Sequence, residues 1–415
     1  MTDVDNLLPD GERIIVSLSW RDIRSPKAGG AEVHTHELLK AINKDKFRVV
    51  HISFGYEDLP ESEIIDGILY LRHGKYLDYL KYSRHFYRKY IKRVTWVLDQ
   101  CNTWRAFTPF WVRREHRIFY IHQLTREIWH IQSHGLFAWV GEHTETAMLR
   151  LNRHDRCITV SESTKADLVD VGFDPVKILI VPNGLPDELL AYDGSFSKEK
   201  DPTFIYVGRY AKYKGIDDAI RAFGMVKEEY PQARLWLVGK PDEEYLVNNL
   251  MPVCREYGLS VYRADLNDRM DADQIMDEKS AVDLTNANGS QTQGVDVTVW
   301  GFVSERKKYE LMQRAHALVC PSIREGWGII ISEAGYLGTP GIVYDSPGLR
   351  DAVDRGRAGY VCRDNSPDIL ADLIRNSVRD EDEYLQMRRA AMKFSSGLIW
   401  SNNTAAVNAF LNNEI

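Results

Sequence analysis

Apolar positions in this chain fall in short, near-continuous runs separated by longer stretches of helical spacing. Arg13-Ile-Ile-Val-Ser-Leu-Ser19 predicts a buried strand, because a strand covered on both faces loses the in–out alternation of a half-exposed one. Similar runs follow at Arg48 to Phe54, Ile68 to Leu71, Thr95 to Leu98, Arg117 to Ile121, Cys157 to Val160 and Lys177 to Val181. Ala31 to Ile42 has helical apolar spacing, as does much of Arg72 to Arg93. Pro182-Asn-Gly-Leu-Pro186 then breaks the pattern, and a polar linker runs from Ala191 to Asp201. The alternation restarts with strands at Thr203 to Val207, Arg234 to Val238, Val297 to Phe302, Ala317 to Cys320 and Gly341 to Tyr344. Strands separated by helical patterns predict parallel sheets with right-handed crossovers. The fold class is therefore α/β with two Rossmann-like domains, at 1–185 and 186–394. Leu398 to Leu411 reads as a closing amphipathic helix within a terminal segment, 395–415. Asp265 to Asp296 is polar, lacks periodicity and reads as an insertion.

Composition narrows the class. The 415 residues suffice for two full cores, and 44% hydrophobic with 27% charged residues is ordinary for a soluble globular protein. A net charge of −7 argues against a nucleic-acid partner. The five cysteines form no C-x-x-C pair, so neither a disulfide framework nor a zinc site is predicted, and Cys157, Cys320 and Cys362 read as buried thiols. His34 and His36, two apart on a helix, point to different sides and do not make a metal pair. The acidic run of the insertion lacks the ligand spacing of a calcium loop. With no signal-like N-terminus and no apolar run of spanning length, the reading is cytoplasmic.

Charge is uneven. Arg72 to Arg93 carries eight cations (Arg72, Lys75, Lys81, Arg84, Arg88, Lys89, Lys92, Arg93) against Asp78, interleaved with Tyr76, Tyr79, Phe86, Tyr87 and Tyr90. Such a stretch could make peripheral contact with an anionic membrane at the inner face of the cell membrane. Alternatively it is a solvated charged face whose aromatics pack on the sheet.

The chemistry concentrates in two stretches. Arg324-Glu-Gly-Trp-Gly-Ile-Ile-Ile-Ser-Glu333 runs from a strand through a glycine loop into a helix. The first turn of that helix offers backbone N–H groups and a positive dipole end. Gly326 and Gly328 leave room for a ligand at the backbone. Glu325 in the loop and Glu333 a turn into the helix can bracket one elongated ligand. In Gly208-Arg-Tyr-Ala-Lys-Tyr-Lys-Gly215, Arg209 and Lys214 follow a strand and can neutralise a diphosphate. Cations, backbone donors and hydroxyl-accepting carboxylates together suit a nucleotide diphospho-sugar. Gly29 and Gly30 form a weaker phosphate-type loop, and His122 ends a strand at a sheet edge where α/β proteins build sites.

Glu325 and Glu333, with seven residues between them, resemble the paired-glutamate motif of the retaining glycosyltransferases of family 4, which have the GT-B fold. Arg209 and Lys214 resemble that family's arginine–lysine pair, Gly29-Gly-Ala-Glu32 its N-terminal glycine loop, and Val181-Pro-Asn-Gly184, with Asn183, its inter-domain segment. The resemblance implies a donor site of Gly208, Arg209, Lys214, Gly239, Val303, Glu325, Gly326, Trp327, Gly328, Ile329 and Glu333. It implies His122 beside the donor sugar, the base held by the turns Gly239-Lys-Pro241 and Gly301-Phe-Val-Ser304, and Ser161, Glu162 and Ser163 on the acceptor side. It also implies that the C-terminal helix crosses back to the first domain. The expected activity is metal-independent, cofactor-free, retaining transfer of a hexose-type sugar from a UDP- or GDP-sugar to an acceptor hydroxyl. A lipid-linked saccharide is the first expectation for that acceptor, and a soluble saccharide or sugar phosphate the second. A nucleotide-sugar epimerase or a non-catalytic sugar-binding scaffold are the alternatives. Nothing resembles the cofactor-lysine segment of the pyridoxal-phosphate phosphorylases.

Overall fold

The computed structural model describes residues 4–8, 11–26, 28–126, 128–129, 136–267 and 294–414. They divide into two compact units, Met1–Gly184 with Leu398–Ile415, and Leu185–Gly397. Most of the polar insertion expected at 265–296 lies outside the described residues. Its described ends are a helical turn, Ala264–Asn267, and the lead into the strand at Val297.

The first unit holds strands β1 (Arg13–Leu18), β2 (Phe47–Ser53), β3 (Ser62–Ile65), β4 (Ile68–Arg72), β5 (Val94–Cys101), β6 (Arg117–Ile121), β7 (Arg156–Thr159) and β8 (Ile178–Ile180). They form one sheet in the order β3-β4-β2-β1-β5-β6-β7-β8, with only the edge pair β3–β4 antiparallel. β1, β2 and β4 are buried almost throughout, which is why their apolar runs are continuous. One face of the sheet is covered by the helix Gly30–Lys40 and by the C-terminal helix Ser401–Leu411. Val407, Phe410 and Leu411 lie on one stripe of that helix and are buried in this layer, worth about 6 kcal/mol together by area. Polar clamps fix its register: Trp96 Nε1 donates to Leu411 O (2.8 Å), Asn408 pairs with the backbone of Ala41 and Asn43, and Asn403 donates to Pro182 O (3.1 Å).

The other face carries the helix Tyr76–Lys89, and here the basic aromatic stretch resolves into two parts. Tyr79, Phe86, Tyr87 and Tyr90 are buried against the sheet. Lys75, Lys81, Arg84, Arg88, Lys89 and Lys92 are exposed. Arg72 belongs to neither part, because it is the last residue of β4 and is buried, with Nε 2.7 Å from Asp22 and Nη1 3.1 Å from Glu63. Among the described residues no helix is long and apolar enough to cross a membrane.

Two buried histidines in this unit make its stability sensitive to acid. Burial lowers both His34 and His51 to about 4 from an ordinary 6.5. The unfolded chain therefore takes up these protons first, so the stability is fully present above pH 6.5 and is lost as pH falls from 6.5 toward 4. Each histidine should cost about 2 kcal/mol by pH 5. Thermal unfolding followed from pH 7.5 to 5 should show Tm falling well before carboxylates titrate. A flat Tm over that range would contradict the burial.

The second unit contains β9 (Thr203–Val207), β10 (Arg234–Val238), β11 (Val261–Arg263), β12 (Val297–Gly301), β13 (Ala317–Cys320), β14 (Gly341–Val343) and β15 (Gly359–Val361). The sheet is parallel throughout, in the order β11-β12-β10-β9-β13-β14-β15. Helices Ile216–Val226 and Pro367–Arg379 pack their apolar faces into its main core. The strand order reverses between β9 and β13, so a crevice opens at the carboxyl ends of these two strands, the switch point of a doubly wound sheet.

Candidate active site

In the second unit the residues singled out from sequence cluster at that switch point. Arg209 follows β9 and is exposed, and its Nη2 donates to Tyr213 Oη (2.6 Å). Lys214 closes a short helical turn, Lys212–Lys214, and pairs with Glu325 on the loop after β13 at 2.5 Å. Burial alone would lower the pKa of Lys214, but the Glu325 carboxylate outweighs it and the ammonium is held above its usual range. The loops carrying the two residues are joined by Ile323 N–H donating to Tyr213 O (3.0 Å). Gly215, at φ +67°, is the tight point: a Cβ there would overlap the Pro321 carbonyl. Gly215→Ala combines left-handed backbone strain with this collision and should cost about 3 kcal/mol, read as a lowered midpoint in urea.

Glu333 lies in the helix Ile329–Tyr336, fully inside the protein, and pairs with Lys308 at 2.8 Å. Burial pushes its carboxyl above the ordinary range, and Lys308 opposes that only in part. Lys308 itself is held up by Glu333 and Glu305 against the opposing effect of burial. Glu333 is the more deeply buried partner, and the ion pair does not fully offset its desolvation. Sequence reading did not single out Lys308, which is 25 positions from Glu333 and shares no motif with it.

Other positions have structural duties. Trp327 is buried and donates from Nε1 to Ser332 Oγ (2.9 Å), so only its backbone is left for a ligand. Gly328, at φ +93°, precedes the helix, and a Cβ would meet Leu349. Gly208, Gly239 and Gly301 stack at adjacent strand ends: Gly208 N–H donates to Val238 O (2.9 Å), Gly239 N–H to Gly301 O (2.8 Å), and a Cβ on Gly239 would overlap Gly208 O. Close backbone packing alone thus demands glycine at 239. Beside them Val303 is half-buried and Phe302 is 80% exposed.

The first unit holds the remaining positions. Gly29 and Gly30 open the helix Gly30–Lys40, where Glu32 Oε2 accepts from Gly29 N–H (2.7 Å) and Arg21 pairs with Glu32 at 2.9 Å. His122 follows β6, its Nε2 3.0 Å from Tyr120 Oη, and burial, with His34 beside it, holds the imidazole well below its ordinary pKa. Ser161 caps the helix Glu162–Val171 by accepting from Thr164 N–H, and so is occupied structurally. Asn183 is buried. Among the described residues no group of three or more metal-ligating side chains occurs.

Two α/β units with parallel sheets and a cation–carboxylate cluster at a switch point are the architecture of a GT-B glycosyltransferase. The model of "Glycosyltransferase Family 4" matches residues 28–189, and that of "Glycosyl transferases group 1" matches 192–252 and 288–394. The chain belongs to the group 1 glycosyltransferases of family 4. It is 24% identical over 367 residues to an uncharacterized glycosyltransferase of Methanocaldococcus jannaschii, covering 83% of each chain. It is also 24% identical to the GDP-mannose:cellobiosyl-diphosphopolyprenol alpha-mannosyltransferase of Xanthomonas campestris, over 63% of this chain and 58% of that protein. Three other curated relatives are matched over 54% to 61% of their length. Among solved structures, Anabaena Alr3699/HepE in complex with UDP-glucose superposes with a TM-score of 0.66 at 16% identity, covering 97% of this chain and 98% of that one.

Proposed function

We propose that this glycosyltransferase is a retaining enzyme that moves a hexose-type sugar from a UDP- or GDP-sugar to the hydroxyl of a lipid-linked saccharide in polysaccharide or glycan assembly. The observation that carries the reading is the Arg209–Tyr213–Lys214–Glu325 cluster at the carboxyl edge of the second sheet. Breaking the glycosidic bond leaves negative charge on a diphosphate, and cations fixed in advance stabilise that charge without reorganising. Lys214 and Arg209 take the diphosphate together with the backbone donors at Gly328 and Ile329. Lys214 keeps its pair with Glu325 while its remaining N–H groups meet the phosphate, and the carboxylate's other oxygen holds sugar hydroxyls. Glu333 holds the ribose, and its link to Lys308 keeps it ionised as an acceptor. His122 contacts the sugar near its reacting face. In this reading the charge is balanced by side chains rather than by a metal. Retention follows the same-face route, in which the leaving oxygen helps to take the acceptor's proton, because both glutamates serve the donor.

A relative named for GDP-mannose and a diphosphopolyprenol substrate supports the donor class and the lipid-linked acceptor, and a fold neighbour crystallised with UDP-glucose supports a nucleotide-sugar donor. The exposed cations along Tyr76–Lys89 support contact with an anionic membrane at the cytoplasmic face. With the aromatics of that helix packed against the sheet core, the contact is electrostatic: binding to phosphatidylglycerol vesicles should vanish on raising salt, and equal binding to neutral vesicles would rule it out.

The donor is tested by thermal shift against a panel of nucleotide diphosphates and their sugars. A ligand at 100 times its Kd stabilises by about 2.7 kcal/mol. A shift selective for one base and lost in Glu333→Ala is the expected result. No shift with any nucleotide would overturn the reading.

A further inference from the structure

A hydrogen-bonded chain runs through the first unit from the backbone of Val181 to His122, through His34 and Tyr120. His34 Nε2 lies 2.8 Å from Val181 O, and His34 Nδ1 meets Tyr120 Oη. Tyr120 Oη lies 3.0 Å from His122 Nε2. His34 and Tyr120 are completely buried, and Trp400 presses edge-on to the His34 ring with centroids 5.0 Å apart.

We propose that His34 and Tyr120 are positioning residues that lock His122 in one tautomer, with the proton on Nε2 and the lone pair on Nδ1 left to accept a hydrogen bond from a hydroxyl of the donor sugar. The assignment follows donor by donor. A carbonyl only accepts, so His34 Nε2 must carry a proton toward Val181 O. Burial keeps His34 neutral down to about pH 4, so it has that one proton and its Nδ1 is an acceptor. The group facing Nδ1 is the Tyr120 hydroxyl, which burial keeps protonated. Tyr120 has a single proton and spends it on His34, because the alternative strands a buried acceptor. Its oxygen is then an acceptor, and His122 Nε2 must supply the proton. His122 is itself held neutral, so Nδ1 carries the lone pair. Thr35 also approaches the Tyr120 hydroxyl; its own proton goes to Ala31 O at 2.9 Å or Gln100 Oε1 at 3.1 Å, and were its oxygen to take the Tyr120 proton, His34 Nδ1 would be left buried without a donor. The backbone of His122 is fixed as well, by Thr164 Oγ1 donating to its carbonyl (3.1 Å).

The tautomer stands on the first unit alone. What Nδ1 accepts rests on the function proposed above. A fixed acceptor would favour a donor sugar with a hydroxyl at that position and reject the deoxy sugar that lacks it.

The test is two-bond ¹H–¹⁵N correlation spectroscopy of the full chain labelled at histidine nitrogen, at pH 7.5. His34 and His122 are assigned by the signals missing in His34→Gln and His122→Gln. Both rings should show the Nε2–H pattern in the wild-type protein, a result that needs no variant. In Tyr120→Phe, His34 should keep its pattern because Val181 O still holds it, whereas His122 should move to averaged shifts of two tautomers. An Nδ1–H or averaged pattern for wild-type His122, or no change in Tyr120→Phe, would overturn the lock. In turnover, Tyr120→Phe should lose about tenfold in kcat/KM for the donor, the scale seen when a group orienting a functional imidazole is removed. A shifted tautomer with unchanged kcat/KM would overturn the hydroxyl contact. Failure of the transferase reading itself would appear separately, in the nucleotide panel.

Discussion

Lys214→Ala is expected to lower kcat by about 10²- to 10³-fold, the loss found when a preorganised group facing developing negative charge is removed. Lys214 is half enclosed, tethered by Glu325, and held above its ordinary pKa, so it is charged at any working pH. It therefore costs the reaction no proton uptake and little reorganisation. Arg209 is less constrained, being exposed and steadied by a hydrogen bond to Tyr213, and Arg209→Ala should have the smaller effect. Lys214→Arg should not restore the rate, because a planar guanidinium does not fit the geometry of a point charge packed on Glu325. Full turnover in Lys214→Ala would show that the diphosphate is not held here. Glu325→Gln controls for the carboxylate that the variant leaves unpaired.

Lys308→Met should be the most destabilising single change at the site, by about 3 to 5 kcal/mol near neutral pH, because it leaves a buried carboxylate without its counter-charge. The pH dependence identifies the cause. Burial already raises the Glu333 pKa above 4.5, and removing Lys308 raises it further. A raised carboxyl favours folding only when protonated. The variant should therefore approach wild-type stability below about pH 4.5 and lose it as pH climbs through the folded-state pKa. Adding Glu333→Gln should recover most of the loss at neutral pH. Urea unfolding of the two variants at pH 5 and pH 8 decides it: a loss that is independent of pH, or not relieved by Glu333→Gln, would mean packing rather than charge.

The fold class was legible because the interior strands of both sheets are covered on two faces and read as unbroken apolar runs. The three strands that sequence reading missed, β3, β11 and β15, all lie at sheet edges and have four, three and three residues. Their positions are mostly half-exposed and leave little apolar pattern, whereas the equally short edge strand β8 was legible from the apolar run Ile178 to Val181 around it. Residue types at the candidate site could be read from their loops, but their meetings could not. Nothing in spacing reveals that Lys214 reaches Glu325 across 111 positions, or that Lys308 answers Glu333. Arg72 was grouped with surface cations because it adjoins them in sequence, whereas its partner Asp22 stands 50 positions earlier on another loop. Trp327 sits among ligand-facing positions by motif, but its side chain is spoken for by Ser332 five residues on.

The first unit is discontinuous: the chain leaves it at Gly184 and re-enters at Leu398. During synthesis, its first 184 residues emerge while Val407, Phe410 and Leu411 have yet to be translated. For that interval an apolar trough beside Leu38, Ile42 and Trp96 stays uncovered, whereas Leu185–Gly397 is contiguous and can close as it emerges. The later unit can thus mature first, and a ribosome that stalls before Ser401 would release a nascent chain whose earliest-made half is the one exposed to chaperones and proteases.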